Sequence, residues 1–198
     1  HVATPRAPLT ASRGKPSEKI VRIGVLAPGC PPPSATLDLL LQGLRDLGYV
    51  EGQNLAVEWR YSEGKAERFA DLAAELVRLP VDVIVTMSTP AALAAKQATQ
   101  TIPIVMVYVA DPVGTGLVTN LARPGGNLTG VSDMATDLSA KRLELLKEAV
   151  PTLSRVAVLW NVTDPGMVLR FREIEVAARV LGLTLQSHEV RSPKDFAR

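Results

Sequence analysis

The sequence predicts an α/β fold: a parallel sheet with helices on both faces, followed by a second, partial α/β lobe. Apolar runs of strand length alternate along the chain with amphipathic helical segments, and the joints between them are short. This pattern is typical of parallel sheets built from strand–helix–strand units. Hydrophobic residues make up 46% of the 198 residues and aromatic residues only 4%, so we expect a core built from Leu, Val, Ile and Ala.

The first strand and the first helix open the predicted first lobe, residues 20–130. Ile20–Ala27 is a near-continuous apolar run, as expected for a strand that is covered on both faces. The segment Ser34–Leu47 carries leucines at helical spacing, which predicts an amphipathic helix. Ser34 is placed to cap the start of this helix and Gly48 to end it.

Five further segments complete this lobe. Apolar and polar residues alternate over 55–61, which predicts a strand with one wetter face. An amphipathic helix, Lys65–Leu79, precedes a buried strand at Val81–Met87, and an Ala-rich helix, Pro90–Thr99, precedes an apolar strand at Ile102–Val109. Right-handed crossovers place the carboxyl ends of such strands along one edge, where ligands bind in sheets of this kind.

Residues 131–198 are predicted to form the hinge crossover and the partial second α/β lobe. Two helices, Asp137–Val150 and Met167–Leu181, alternate with two strands, Arg155–Trp160 and Leu183–Val190. A sheet of two strands buries too little surface to be stable alone. Either these strands extend the first sheet or the chain holds only part of the lobe, and we favour the second interpretation.

Two short segments bear on this division. Gly125, Gly126 and Asn127 precede the crossover, and they form either a hinge, because glycines absorb dihedral change, or a plain turn. Ser192 and Pro193 could begin one more helix, with Ser192 as its cap.

Residues 1–19 are predicted to be a flexible leader, because they combine prolines with small polar residues. They hold four basic residues and one acidic residue, whereas the whole chain has a net charge of +2, so the remainder carries −1. Nucleic-acid binders concentrate basic residues on the folded body, so we expect no nucleic-acid partner. Cys30 is the single cysteine, which excludes an internal disulfide, and we interpret it as a small wall residue in the loop after the first strand.

Six stretches carry a resemblance to a known family. They are LQGLRDLGYVEGQN (41–54), TPAALAAK (89–96), DPVGTGLV (111–118), ARPGGNLTG (122–130), KRLELLK (141–147) and RVAVLWN (155–161). In this order they resemble the substrate-binding proteins of bacterial ABC importers, in the group whose better-understood members bind aromatic amino acids.

This resemblance implies the type I periplasmic-binding fold, in which two Rossmann-like lobes hold a ligand between them across a hinge of crossing strands. It also implies a periplasmic or otherwise extracytoplasmic protein, which captures a small molecule such as an amino acid and passes it to a membrane permease. We expect a monomer. Family members are longer than this chain, so the resemblance implies that much of the second lobe is missing at the C-terminal side.

The predicted ligand site begins where the Ala-rich helix follows a buried strand. Ser88 or Thr89 is placed to cap that helix, and Pro90 suits the first helical position. Free N–H groups of this first turn, which includes Ala91, would favour a carboxylate group of the ligand. The alternative is that these residues only cap the helix.

Polar residues that follow two other strands complete the predicted site. Asp111 could pair with an ammonium group of the ligand, or it could form a turn, as Asp before Pro often does. Asn161, Thr163 and Asp164 follow the second-lobe strand and could close over the ligand from the opposite side. The alternative for Asp164 is a cap for the next helix.

We expect binding without catalysis, and neither a cofactor nor a metal. The sequence lacks the spaced glycines of dinucleotide and phosphate loops, the Gly-x-Ser-x-Gly elbow and metal-ligand spacing of Cys and His. His1 and His188 are its only histidines, so a Ser–His or Cys–His pair is not expected. The alternative function is a ligand-sensing domain of a regulatory system, which the fold alone does not separate from transport.

Overall fold

The computed structural model describes residues 19–29, 35–191 and 195. Four predictions lie outside these residues: the leader over residues 1–18, the wall role of Cys30, the helix cap at Ser34 and the helix start at Ser192. No helix among the described residues combines the length and the apolar character needed to cross a membrane.

Within the described part of the chain, five strands form the first sheet: β1 Val21–Ala27, β2 Leu55–Tyr61, β3 Val83–Met87, β4 Ile104–Val109 and β5 Leu128–Ser132. Their order across the sheet is β2-β1-β3-β4-β5, and every neighbouring pair is parallel. The predicted parallel sheet is therefore confirmed.

Three helices cover this sheet: α1 Ala35–Asp46, α2 Phe69–Arg78 and α3 Thr89–Ala98. One apolar cluster joins one face of the sheet to α2 and α3, and it includes Leu26, Leu76 and Ile84. A second cluster lies on the other face and includes Val25 and Leu37, the latter from α1. Because consecutive residues of β1 enter opposite clusters, the strand requires the near-continuous apolar run that the sequence contains.

The strand β5 is not predicted by the sequence pattern. It lies at the edge of the sheet, where Thr129, Gly130 and Val131 are exposed. An exposed edge strand needs few apolar residues, and the sequence of β5, LTGVS, contains no apolar run. A Cβ atom on Gly130, whose φ is +145°, would lie 2.1 Å from the carbonyl oxygen of Met106 in β4, so only glycine permits this close pairing. Since β5 crosses the predicted boundary at residues 130 and 131, the division into lobes stays a prediction.

The second unit consists of α4 Ser139–Ala149, β6 Arg155–Asn161, α5 Pro165–Val180 and β7 Thr184–Val190. The strands β6 and β7 pair in parallel as a separate two-stranded sheet, so they do not extend the first sheet. Leu143 from α4 and Ala177 and Ala178 from α5 form a small core with Leu183.

Candidate functional site

A cavity of about 220 Å³ lies at the carboxyl edge of the first sheet, where the amino end of α5 faces it. The first sheet and its loops contribute Met87, Ser88, Thr89, Tyr108, Ala110 and Asp133, and the second unit contributes Asp164, Gly166, Met167 and Arg170. The cavity is therefore in the position where ligands bind in parallel α/β sheets.

The amino end of α3 forms one side of this cavity. The Ser88 hydroxyl oxygen accepts a hydrogen bond from the Ala91 N–H at 3.3 Å, so Ser88 caps the helix, and Pro90 stands in its first turn. Thr89 is only 3% exposed, and its Oγ1 accepts from the Ala110 N–H at 3.3 Å. Both hydroxyls thus hold the local backbone in place while they line the cavity.

An ion pair forms another side. Arg170 of α5 donates from Nη2 to Oδ2 of Asp133 at 2.7 Å, and each side chain is about one quarter exposed. Asp133 directly follows β5, so this pair connects the first sheet to the second unit. The Nε atom of Arg170 is buried and has no hydrogen-bond partner among the described residues. A buried donor of this kind favours an additional acceptor.

Sequence reasoning did not predict a role in the site for either member of this pair. Asp133 falls within the predicted hinge crossover, and Arg170 falls within the predicted helix Met167–Leu181. No local motif marks these two residues, because 37 positions of the chain separate them.

Asp164 caps α5 from the cavity wall. Its Oδ1 accepts from the N–H groups of Gly166 at 2.8 Å and Met167 at 3.4 Å. Burial raises the pKa of the Asp164 carboxyl above its ordinary value, and the two backbone hydrogen bonds and the Arg170 charge act in the opposite direction. With both carboxylates ionised, the three charged side chains Asp133, Asp164 and Arg170 together carry a formal charge of −1.

The two units touch at Gly166, which is buried. A Cβ atom at this position would lie 2.8 Å from Thr89 Oγ1 and 3.0 Å from the Ala110 Cβ. Any side chain larger than hydrogen would therefore push α5 away from the edge of the first sheet.

The predicted site residues divide into two groups. Ser88, Thr89 and Asp164 line the cavity together, whereas the other five residues do not. Pro90 lines a neighbouring groove between α2, α3 and the start of α5, as Thr163 does, and the side chain of Ala91 is fully buried.

Asp111 and Asn161 organise their own loops. The Asp111 carboxylate accepts from the Gly114 N–H at 2.7 Å, and the Asn161 side-chain oxygen accepts from the N–H and the hydroxyl of Thr163 at 2.9 and 2.8 Å. These bonds fit the alternative of a turn at Asp111. The cavity gives no support to ligand roles for five residues, which stay predictions: Pro90, Ala91, Asp111, Asn161 and Thr163.

The lining of the cavity contains groups that can recognise a small molecule. Within the described part of the chain, no group of three or more His, Cys, Asp or Glu side chains is arranged to hold a metal ion. The lining combines hydroxyls, an ion pair, a capped carboxylate, an aromatic ring and two methionines. Small-molecule sites typically pair apolar walls with a few convergent polar groups in this way.

Comparison with known sequences identifies a matching family and a similar protein. The sequence profile of the family described as ABC transporter substrate binding protein matches residues 31–198. A tyrosine-binding protein of Clostridioides difficile (strain R20291) is 37% identical over 125 residues, which are 63% of this chain and 35% of that protein.

Two solved structures resemble the chain closely. A conserved domain protein from Vibrio cholerae O1 superposes with a TM-score of 0.79 at 32% identity, covering 87% of this chain and 58% of that one. An ABC domain in complex with L-Trp from Streptococcus pneumoniae gives a TM-score of 0.74 at 31% identity, covering 89% and 59%. The chain thus spans less than two thirds of the length of these relatives. The predicted type I periplasmic-binding fold is confirmed.

Proposed function

The chain belongs to the family of ABC transporter substrate-binding proteins, and on that premise we propose that it captures a small molecule, an amino acid, for an ABC importer. In this proposal the protein works in the periplasm or an equivalent extracytoplasmic space and delivers the solute to a membrane permease. It binds its solute without chemical change.

The cavity between the two units is the observation that carries this proposal. Its volume of about 220 Å³ lies below the range of about 300–1,000 Å³ that is typical of drug-sized ligands. This size favours a solute as small as one amino acid over a nucleotide or an oligosaccharide. The position between two units also allows both of them to contact one solute.

The charges in the cavity complement an amino acid. The amino end of α3, with Ser88 and Thr89, presents the positive end of a helix dipole to a carboxylate. Asp133 and Asp164 outnumber the single cation Arg170, so that side of the cavity favours an ammonium group. Asp133 and Asp164 replace Asp111 in the ammonium role that the sequence first suggested.

The named ligands of the relatives agree with this chemistry. One relative is described as tyrosine-binding and another was solved with L-Trp. Membership of an importer family also favours transport over the sensing alternative that the sequence left open.

A ligand screen on the purified protein tests the proposal. Free ligand at roughly 100 times its Kd stabilises a protein by about 2.7 kcal/mol. For a chain of this size we therefore expect L-tyrosine, L-tryptophan or L-leucine to raise the Tm by roughly 5–10 °C. If none of the amino acids shifts the Tm and calorimetry detects no heat of binding, the proposal is wrong.

Two variants locate the binding event. Asp133→Asn keeps the size of the side chain but removes its charge, so we expect it to weaken an amino acid by about tenfold or more. Asp137→Asn is the matched control, because Asp137 is exposed and is absent from the cavity lining. Equal affinities in the two variants would place the solute elsewhere.

A further inference from the structure

The conformation of Tyr108 interrupts the strand β4. Its φ is +55°, in the left-handed region that is unusual for a bulky residue. The pairing of β4 with β5 shifts register between Met106 and Val109, on either side of it. Val109 and Ala110 next to it are buried, with exposures of 0% and 1%, so the surrounding structure holds this backbone in place.

This interruption decides which side chain enters the core. Ile104 and Met106 belong to the cluster on the α2 and α3 face, whereas Val105 and Val107 pack against the cluster on the opposite face. Regular alternation would place residue 108 in the first cluster. Val109 occupies that cluster instead, and this is the effect of a β-bulge, which re-aims side chains near functional sites.

The ring of Tyr108 is consequently available to a ligand. It is 54% exposed and lines the cavity. Four other aromatic side chains are already stacked in pairs: Trp59 on Tyr61, and Trp160 on Phe171. Within the described part of the chain, Tyr108 makes no such ring contact.

The remaining apolar lining complements this ring. Met87, at the end of β3, and Met167, in α5, both line the same cavity. Thioether sulfurs make favourable contacts with aromatic rings and adapt to irregular shapes. The cavity therefore has an apolar part, formed by Tyr108 and the two methionines, in addition to its charged part.

We propose that Tyr108 is the residue that makes the solute site prefer an aromatic over an aliphatic side chain, by stacking on the ring of the bound amino acid. The inference rests on the proposed function and deepens it. Stacked or edge-to-face rings attract each other beyond the burial of their area, and this extra attraction is absent for a leucine side chain.

Variants of Tyr108 separate this role from the fold. Tyr108→Gly removes the ring and suits the positive φ, so the fold is retained. Tyr108→Phe keeps the ring. Tyr49→Gly is the matched control, because Tyr49 is a partly exposed tyrosine away from the cavity lining. Thermal melts of all variants verify folding, and calorimetry measures L-tyrosine, L-tryptophan and L-leucine on each.

The selectivity ratio is the decisive quantity. We expect Tyr108→Gly to weaken L-tyrosine and L-tryptophan about tenfold more than L-leucine, while Tyr108→Phe and Tyr49→Gly keep the wild-type ratio. An unchanged ratio in Tyr108→Gly overturns the inference. Wild-type protein that binds L-leucine but neither aromatic amino acid overturns it while leaving the proposed function intact, whereas wild-type protein that binds no amino acid removes both.

Discussion

Substitution of Gly166 by alanine tests whether contact between the two units is part of the binding-competent state. The new Cβ would lie 2.8 Å from Thr89 Oγ1, whereas ordinary contacts at such a position are 3.4–4 Å. The atoms must therefore separate by more than half an ångström. Thr89 and Ala110 are buried and hydrogen-bonded to each other, so the amino end of α5 is the part that can move.

The movement has a cost that the structure lets us estimate. Overpacking of a tight contact costs about 1–3 kcal/mol, and relief by withdrawal of α5 also withdraws Asp164, Met167 and Arg170 from the cavity. We expect the affinity for L-tyrosine or L-tryptophan to fall about tenfold, which corresponds to about 1.4 kcal/mol. Hydrogen exchange at the Ala110 N–H should be faster, because its acceptor Thr89 loses the cover of α5.

Gly43→Ala is the matched control for this experiment. Gly43 also lies in a helix, and a Cβ atom there meets no other atom within 4 Å. The same chemical change at this position gains helix propensity, up to about 1 kcal/mol, without a contact between units. Calorimetry and hydrogen exchange compare the two variants. If Gly166→Ala matches Gly43→Ala in both measurements, the contact has no part in binding.

Two further substitutions probe stability. Burial raises the folded-state pKa of Asp164 above that of the unfolded chain. The free energy of unfolding therefore falls as pH rises above about 4, the unfolded pKa, and continues to fall until the pH passes the folded pKa. Asp164→Asn retains a capping oxygen, so we expect its urea stability relative to wild type to improve between pH 4 and 7, and a pH-independent difference would contradict this. Gly130→Ala should lose at least about 2 kcal/mol of unfolding free energy, since its Cβ would meet a β4 carbonyl; a urea midpoint equal to that of Gly43→Ala would refute the reasoning.

Part of the candidate site was accessible from sequence because it depends on local order. Ser88 and Thr89 come between a buried strand and a helix, and Asp164 comes directly before a proline that starts a helix. In each parallel sheet, positions that follow the strands lie at the carboxyl edge of that sheet. The same rule selected Asp111 and Asn161, but their side chains form hydrogen bonds within their own loops, and local order does not predict which way a loop side chain turns.

The alternation of apolar runs and amphipathic segments is sufficient to predict the parallel first sheet, its covering helices and the second α/β unit, because burial on two faces imposes a pattern that is visible in sequence. Three features are visible only in the folded protein: the edge strand β5, the bulge that exposes Tyr108, and the ion pair between Asp133 and Arg170. Each depends on contacts between residues far apart in the chain or on a break in regular alternation. Such contacts leave no periodic signal, because their energy comes from neighbours that only folding brings together.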